Sequence, residues 1–576
     1  MRRRGRAPRT LRMSSQPNNH KWMVLSNTTL GMLAATINAS IVLISLPAIF
    51  RGIGLKPLDP GNTNVLLWTI MGYMVVTSVL VVTFGKLGDM FGRAKVYNLG
   101  FLIFTLASIA LSFMPTGDGA AYYLVGLRIV QGIGGAMLTS TATAILIDVF
   151  PTRQRGLALG INTMAAIAGQ FIGLILGGLL ADIDWRWIFW INVPIGLVGT
   201  IWAYVSMKDY VPTRHSKIDW WGNITFAVGL VLLLIGVNDG IQPYHNDLMA
   251  WGSPQVLAEL GLGLVFLAFF FFIETRAKPP MIDLKLFRIK PFFAGISANL
   301  MTSIGRGGLQ FMLIIWLQGI WLPLHGYSFE STPLWAGIFM IPLTLGVLIS
   351  GPVAGVLADR FGQRAFASLG MLLGAATFLG LMLLNADFDY PIFATLLFLN
   401  GVASGLFSAP NATQTMNAVP AAERGQAAGI RATAMNAGQV LSIGIFFTLM
   451  ILGLSLSLPQ SMESNLVAEG LSPDIAAQVA AAPPVASLFA AFLGYNPMGE
   501  LIPAGALHAL SAAQQAVITG KEFFPHLLAA PFMVGIKIAF TISLLLYLLA
   551  ALASWLGGSA GGKAPERMGE GVEQAA

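Results

Sequence analysis

Two arginines set deep inside apolar runs ask the most of their surroundings. Arg128, in Leu127-Arg128-Ile129-Val130-Gln131-Gly132, and Arg306, in Ser303-Ile304-Gly305-Arg306-Gly307-Gly308-Leu309-Gln310, each place a cation where water is scarce. At a bilayer centre that costs at least about 2.5 kcal/mol unless water or a partner compensates. Gln131 and Gln310 follow their arginines by about one turn, on the same helical face. The other polar groups within apolar stretches are amides: Asn38, Gln170, Asn299, Asn436 and Gln439. Guanidinium and amide groups can hold the head group of a mostly apolar molecule, and they can equally join helices by hydrogen bonds. For Arg306 the alternatives are a cavity-facing cation that attracts an acidic or phosphate-bearing group, and a structural Arg bonded to carbonyls of a glycine-weakened helix. For Arg128 they are a cavity-facing cation and a structural Arg bonded to the first helix. Asp148, Asp182, Asp239, Glu274 and Asp359 all lie toward the ends of apolar runs or in loops, so a midplane carboxylate relay for protons is hard to place.

Other chemistries lack their residues. There is no Cys, which removes disulfides, thiolate metal sites and Cys nucleophiles. No Gly-x-x-x-x-Gly-Lys-Ser/Thr loop and no His-Glu-x-x-His run occurs, and the six His are scattered through tail and loops. Neither an enzyme nor a cofactor or metal centre is expected.

The elements that must position these groups are membrane helices. Hydrophobic residues make up 55% of the chain and charged residues 10%, and apolar runs of about 20 residues recur, each long enough to cross a hydrocarbon core of about 30 Å. Fourteen helices are predicted, centred near residues 36, 75, 106, 135, 169, 196, 229, 264, 307, 345, 375, 403, 440 and 542. The fold class is an all-α membrane protein. Most Lys and Arg fall on one side of this map, and only Arg51, Lys56, Arg186 and Lys521 on the other, so both termini are expected in the cytoplasm and the chain in a cell membrane, in contact with its lipids. Loop asymmetry accounts for the net charge of +7 without a nucleic-acid partner. The basic start resembles a signal n-region, but the apolar stretch from 23 to 50 exceeds an h-region and is expected to remain as the first helix.

The chain also echoes itself. Gly132–Gln170 aligns without gaps to Gly401–Gln439 with 11 of 39 positions identical, among them Pro151/Pro420, Arg155/Arg424, Gly156/Gly425, Gly169/Gly438 and Gln170/Gln439. Upstream, Gly85-Lys86-Leu87-Gly88-Asp89-Met90-Phe91-Gly92-Arg93 recurs as Gly355-Val356-Leu357-Ala358-Asp359-Arg360-Phe361-Gly362-Gln363. Duplicated bundles with a site where the halves meet are a common build for carriers. The expected division is a basic tail 1–21, a six-helix bundle 22–208, a segment 209–290 with two helices that have no repeat partner, a second six-helix bundle 291–556, and a tail 557–576. Within the second bundle, 457–525 is Ala- and Pro-rich, too polar to span, and expected outside with an apolar patch at Val485–Tyr495, either as a cap or interfacial helix or with a part in substrate selection. The two unpaired helices are expected outside the bundles.

These motifs together resemble the major facilitator superfamily, and within it the 14-helix drug:proton antiporter group of the QacA and EmrB type. Gly85–Arg93 resembles the superfamily's loop signature, Leu127–Gly135 its helix 4 Arg motif, and Trp185-Arg186-Trp187-Ile188-Phe189-Trp190-Ile191-Asn192-Val193-Pro194-Ile195-Gly196 a run of the 14-helix group. The resemblance implies export of a small amphipathic molecule by proton antiport and alternating access, with Arg128 in the coupling machinery. It also implies a gate in which Gly85, Asp89, Gly92 and Arg93, with Asp359 in the second copy, latch one side, Asp89 meeting the helix start near Gly425. The alternatives are an exporter or flippase of lipid-like or anionic metabolites with different coupling, and a non-transporting sensor. The chain departs from the group at Asn38, where an acid is usual in helix 1, and at Leu174, where helix 5 usually has Pro.

Overall fold

The computed structural model describes residues 18–56, 62–117, 119–207, 219–242, 244, 249–277, 284–420 and 423–557. Within them no β-strand occurs, and fourteen helices are long and apolar enough to cross a membrane. In hydrocarbon every backbone N–H and C=O must be satisfied within the chain, which leaves helices as the outcome of such apolar sequence. They are α1 (His20–Ile53), α2 (Asn64–Phe91), α3 (Arg93–Ser112), α4 (Ala120–Val149), α5 (Leu157–Ile183), α6 (Trp187–Ser206), α7 (Trp220–Gly240), α8 (Pro254–Glu274), α9 (Lys290–Leu324), α10 (Thr332–Phe361), α11 (Gln363–Met382), α12 (Tyr390–Asn417), α13 (Gln426–Ala468) and α14 (Phe523–Leu556). All fourteen predicted centres fall inside them.

Helix packing repeats as the sequence does. In the first half α1 packs on α5, and α2 and α3 pack on α4; in the second, α9 packs on α13, and α10 and α11 pack on α12. A polar bond repeats with it: Gln131 Nε2 donates to Ser108 Oγ at 2.9 Å, and Asn400 Nδ2 donates to Thr377 Oγ1 at 2.8 Å. The turns repeat too. Gly92 between α2 and α3 has φ 109°, and Gly362 between α10 and α11 has φ 101°, a region that residues with a Cβ enter at a cost of about 1–2 kcal/mol.

The unpaired helices pack on each other, and α7 also lies against α2 and α13. Thr83 Oγ1 donates to Asn223 Oδ1 at 2.9 Å, and Asn238 Nδ2 donates to Asn64 Oδ1 at 3.0 Å. Outermost is α8, with Leu264, Val265, Phe269, Phe271 and Phe272 exposed, a surface suited to lipid.

The structure differs from expectation at the end of α13. This helix runs on to Ala468, past the position near 457 where Pro459 and polar residues suggest a loop. Leu458, Met462 and Leu466, spaced four apart, are buried, and tertiary packing of that stripe holds the extension. The following chain forms short helices, including Pro473–Ala480 and Pro484–Phe492, which meet at 82°. Within the apolar patch at Val485–Tyr495, Pro484–Phe492 is buried along its whole length.

Candidate transport site

The first polar group is enclosed in the first half. Arg128 on α4 is 2% exposed. Its Nε donates to the Thr69 carbonyl on α2 at 3.3 Å, its Nη1 donates to Gln131 Oε1 at 2.8 Å, and the guanidinium lies 4.6 Å from the Tyr73 ring centroid. Gln131 passes the chain on to Ser108 of α3. The partner of Arg128 is therefore α2 rather than α1. Gly132 and Gly135 seat Tyr73: a Cβ at Gly132 would come within 2.9 Å of the Tyr73 carbonyl and one at Gly135 within 2.6 Å of its hydroxyl. A desolvated cation–π contact is worth about 2 kcal/mol and an interhelical hydrogen bond about 0.6 kcal/mol, enough together to offset much of the burial cost. Asn38 is likewise buried in the first half, accepting from Asn192 Nδ2 at 3.3 Å. This bond ties α6, through the Trp185–Gly196 run, to α1.

The second group lies where the halves meet. Gln170 Nε2 of α5 donates to Gln310 Oε1 of α9 at 2.6 Å. Arg306, one turn before Gln310, is half-buried. Its flanking glycines serve other faces: Gly305 lies against the Tyr547 ring of α14, Gly307 against Gln439 and Ser442 of α13, and Gly308 against Phe446. These glycines bring α9 close to α13 and α14, and the Arg306 guanidinium remains within electrostatic reach of Tyr547 on α14. On α13, Asn436 is half-buried and Gln439 exposed. Asn299 donates to the Arg431 carbonyl at 3.3 Å, a bond between α9 and α13. Trp316, further along α9, is core packing, its indole N–H donating to the Ala386 carbonyl at 3.2 Å.

The two arginines belong to one half each. Gly132 rests against the backbone of Tyr73 as Gly401 rests against that of Leu343, so Leu343 and Leu397 stand where the first half has Tyr73 and Arg128. Across the other helix pair, Gly169 faces Thr36 as Gly438 faces Ser303; that register puts Ala39 opposite Arg306.

At the end of the bundle where α2 meets α3, Arg93 joins two acids. It lies 2.7 Å from Asp89 and 2.7 Å from Asp148, and donates to the Ala144 carbonyl at 3.0 Å. Asp148 was legible only as a helix-end acid. The contact expected near Gly425 falls outside the described side chains. In the second copy Gln363 stands in place of Arg93, and its amide lies 3.5 Å from Asp359, longer than a normal hydrogen bond. At the opposite end contacts cross between halves: Gln318 Nε2 of α9 donates to the Ile44 carbonyl of α1 at 3.1 Å, and Gly178 of α5 abuts the backbone at Leu334 of α10.

A duplicated helical bundle with polar groups at its seam defines a membrane carrier rather than an enzyme. The chain belongs to the Major Facilitator Superfamily, which it matches over residues 28–443; it is a multi-pass membrane transporter. Among its relatives are the tetracenomycin C resistance and export protein of Streptomyces glaucescens (28% identical, covering 81% of this chain and 84% of that one), the methyl viologen resistance protein SmvA of Salmonella typhimurium (30%, covering 78% and 87%) and the riboflavin transporter RibZ of Clostridioides difficile (26%, covering 74% and 87%). A solved bacterial homolog of the human lysosomal transporter Spinster shares the fold with a TM-score of 0.57 at 15% identity, covering 95% of this chain and all of that one.

Proposed function

We propose that this chain exports lipophilic or amphipathic small molecules by alternating access between two six-helix bundles, 22–208 and 291–556, driven by proton antiport. The observation that carries the reading is the midspan seam. The Gln170 to Gln310 bond spans the halves beside Arg306, and the relatives include proteins named for drug export and resistance. The segment 209–290 serves as an outer support, since α7 touches both halves and α8 only α7 among the stronger contacts. Lys- and Arg-rich loops support cytoplasmic termini in a cell membrane, which makes the end holding 469–522 the outer one. Asp89, Arg93 and Asp148, with Gly85, Gly92 and Asp359, form the inner latch. Arg128, Gln131 and Asn38 act from within the first half, as coupling rather than substrate-contacting residues. Efflux of ethidium from proteoliposomes, with and without an imposed pH gradient, tests the reading; a rate indifferent to the gradient removes proton antiport, and no flux removes the exporter.

A second reading, an exporter or flippase for anionic amphiphiles, is favoured by Arg306, which has neither an ion pair nor a hydrogen bond among the described residues. A relative named as a riboflavin transporter shows that substrates other than cationic drugs occur in this neighbourhood. Competition of ethidium efflux by an anionic and by a cationic amphiphile separates the two.

A further inference from the structure

The chain between α13 and α14 has no counterpart in the first half, where residues 184–186 join α5 to α6. In place of that short link stands a folded insert whose helix Pro484–Phe492 is wholly buried. Its seat is within the helix bundle. Phe489 lies 5.4 Å from Phe447 of α13, Phe492 lies 5.7 Å from Phe311 of α9, and Phe311 and Phe447 are 4.9 Å apart. The helix also touches α2, α14 and the π turn Leu317–Trp321 of α9. A Cβ at Gly319 in that turn would come within 3.3 Å of the Phe492 nitrogen, so the widened turn is shaped around the insert. Phe311 adjoins Gln310, which makes the bridge to Gln170, so the aromatic cluster sits immediately on the outer side of the seam.

We propose that residues 484–495 are a plug in the outer gate, which travels with the second half and must part from the first half for substrate to leave. This rests on the exporter reading above. The attachment is unequal. Toward the second half the insert buries two Phe side chains, each worth about 1.5–3 kcal/mol. Gly494 (φ 71°) turns against Phe329, and Asn496 Nδ2 donates to the carbonyls of Ile518 and Gly520 at 2.9 and 2.8 Å, tying the insert to the chain that enters α14. Toward the first half its polar bonds are Arg51 Nη1 donating to the Leu493 carbonyl at 3.1 Å and an exposed Lys56 to Glu500 pair at 2.6 Å; an exposed pair holds with about 0–1 kcal/mol. The weaker seam is the one with the first half, and it is where the plug comes free.

The chain has no Cys, so thiols can be placed at will. In a Lys56→Cys/Glu500→Cys variant, both exposed positions, a short reducible bis-methanethiosulfonate crosslinker should cut ethidium efflux at least about tenfold, one decade being 1.4 kcal/mol, and dithiothreitol should restore it. In a Ser487→Cys variant, the buried thiol should react with a membrane-impermeant maleimide from the outside only under an imposed pH gradient. Full efflux by the linked protein, or a thiol that stays shielded while the same protein is exporting ethidium, overturns the plug. Absence of efflux from the unmodified protein defeats the exporter reading instead, and is distinguishable because the linked variant is scored against its own reduced form.

Discussion

At the scale of residues, the duplication supplies its own control. The second half holds its Asn400 to Thr377 bond with Leu397 and Leu343 in place of an Arg and a Tyr, so a six-helix bundle of this design stands without the cation. Arg128→Leu should therefore insert and keep its helical content while losing transport at least about tenfold, the effect of one interaction of 1.4 kcal/mol; efflux rates beside circular dichroism and membrane yield check this. Near-normal efflux from that variant would reduce Arg128 to a structural residue. Arg306→Gln should lower export of an anionic amphiphile about tenfold while leaving neutral and cationic compounds within about twofold. Equal loss for all three would reject charge selection. Sequence exposed both arginines, but not what the glycines beside them serve. Close helix approach looks the same in a sequence as open space, and only the positions of Tyr73, Tyr547 and Phe446 tell the two apart.

At the scale of elements, the turn between α2 and α3 depends on one backbone angle and one cation. Gly92→Ala should destabilise by about 1–2 kcal/mol because of its positive φ, whereas Gly85→Ala should be close to neutral, as nothing lies within 4 Å of a Cβ there. Thermal unfolding in detergent distinguishes them. Asp89→Ala should insert normally yet abolish transport, and full transport would make the turn a static anchor. The Lys56 to Glu500 contact carries a pH sign. The Lys56 hydrogen bond, with help from Tyr495, holds the Glu500 carboxyl below its ordinary value. Its contribution is therefore present above the ordinary glutamate range and lost as pH falls through the lowered value. Lys56→Met should therefore lower thermal stability in detergent by about 0–1 kcal/mol at neutral pH, and that difference should vanish as the pH falls through the lowered Glu500 value.

At the scale of the whole molecule, the proposed six-plus-two-plus-six arrangement would give α7 and α8 a supporting part. Breaking the bond between Thr83 and Asn223 with Thr83→Val should lower thermal stability by about 0.6 kcal/mol without changing which compounds are exported. A change of substrate range instead would place the added pair at the transport path. Of the polar contacts that cross between halves, Gln170 to Gln310 sits at midspan and Gln318 to Ile44, Arg51 to Leu493 and Lys56 to Glu500 lie on the plugged end, while the Arg93 cluster at the other end stays within the first half.

The sequence alone determined the fourteen helices, their duplication and the two turns, because each rests on local properties: runs long enough for hydrocarbon, an internal repeat, and glycines at the turn positions. Only the tertiary structure decided what those polar residues touch. Arg128 and Asn38 look as available as Arg306 in a linear reading, yet the first two are closed in among α1, α2, α4 and α6, while Arg306 is left beside the seam. The insert shows the same limit. Its Ala- and Pro-rich composition is too polar overall to span a membrane and reads as a cap. Its nine residues from Pro484 to Phe492 are nonetheless drawn inside, because a pocket of aromatics from α9 and α13, far away in sequence, is there to receive them.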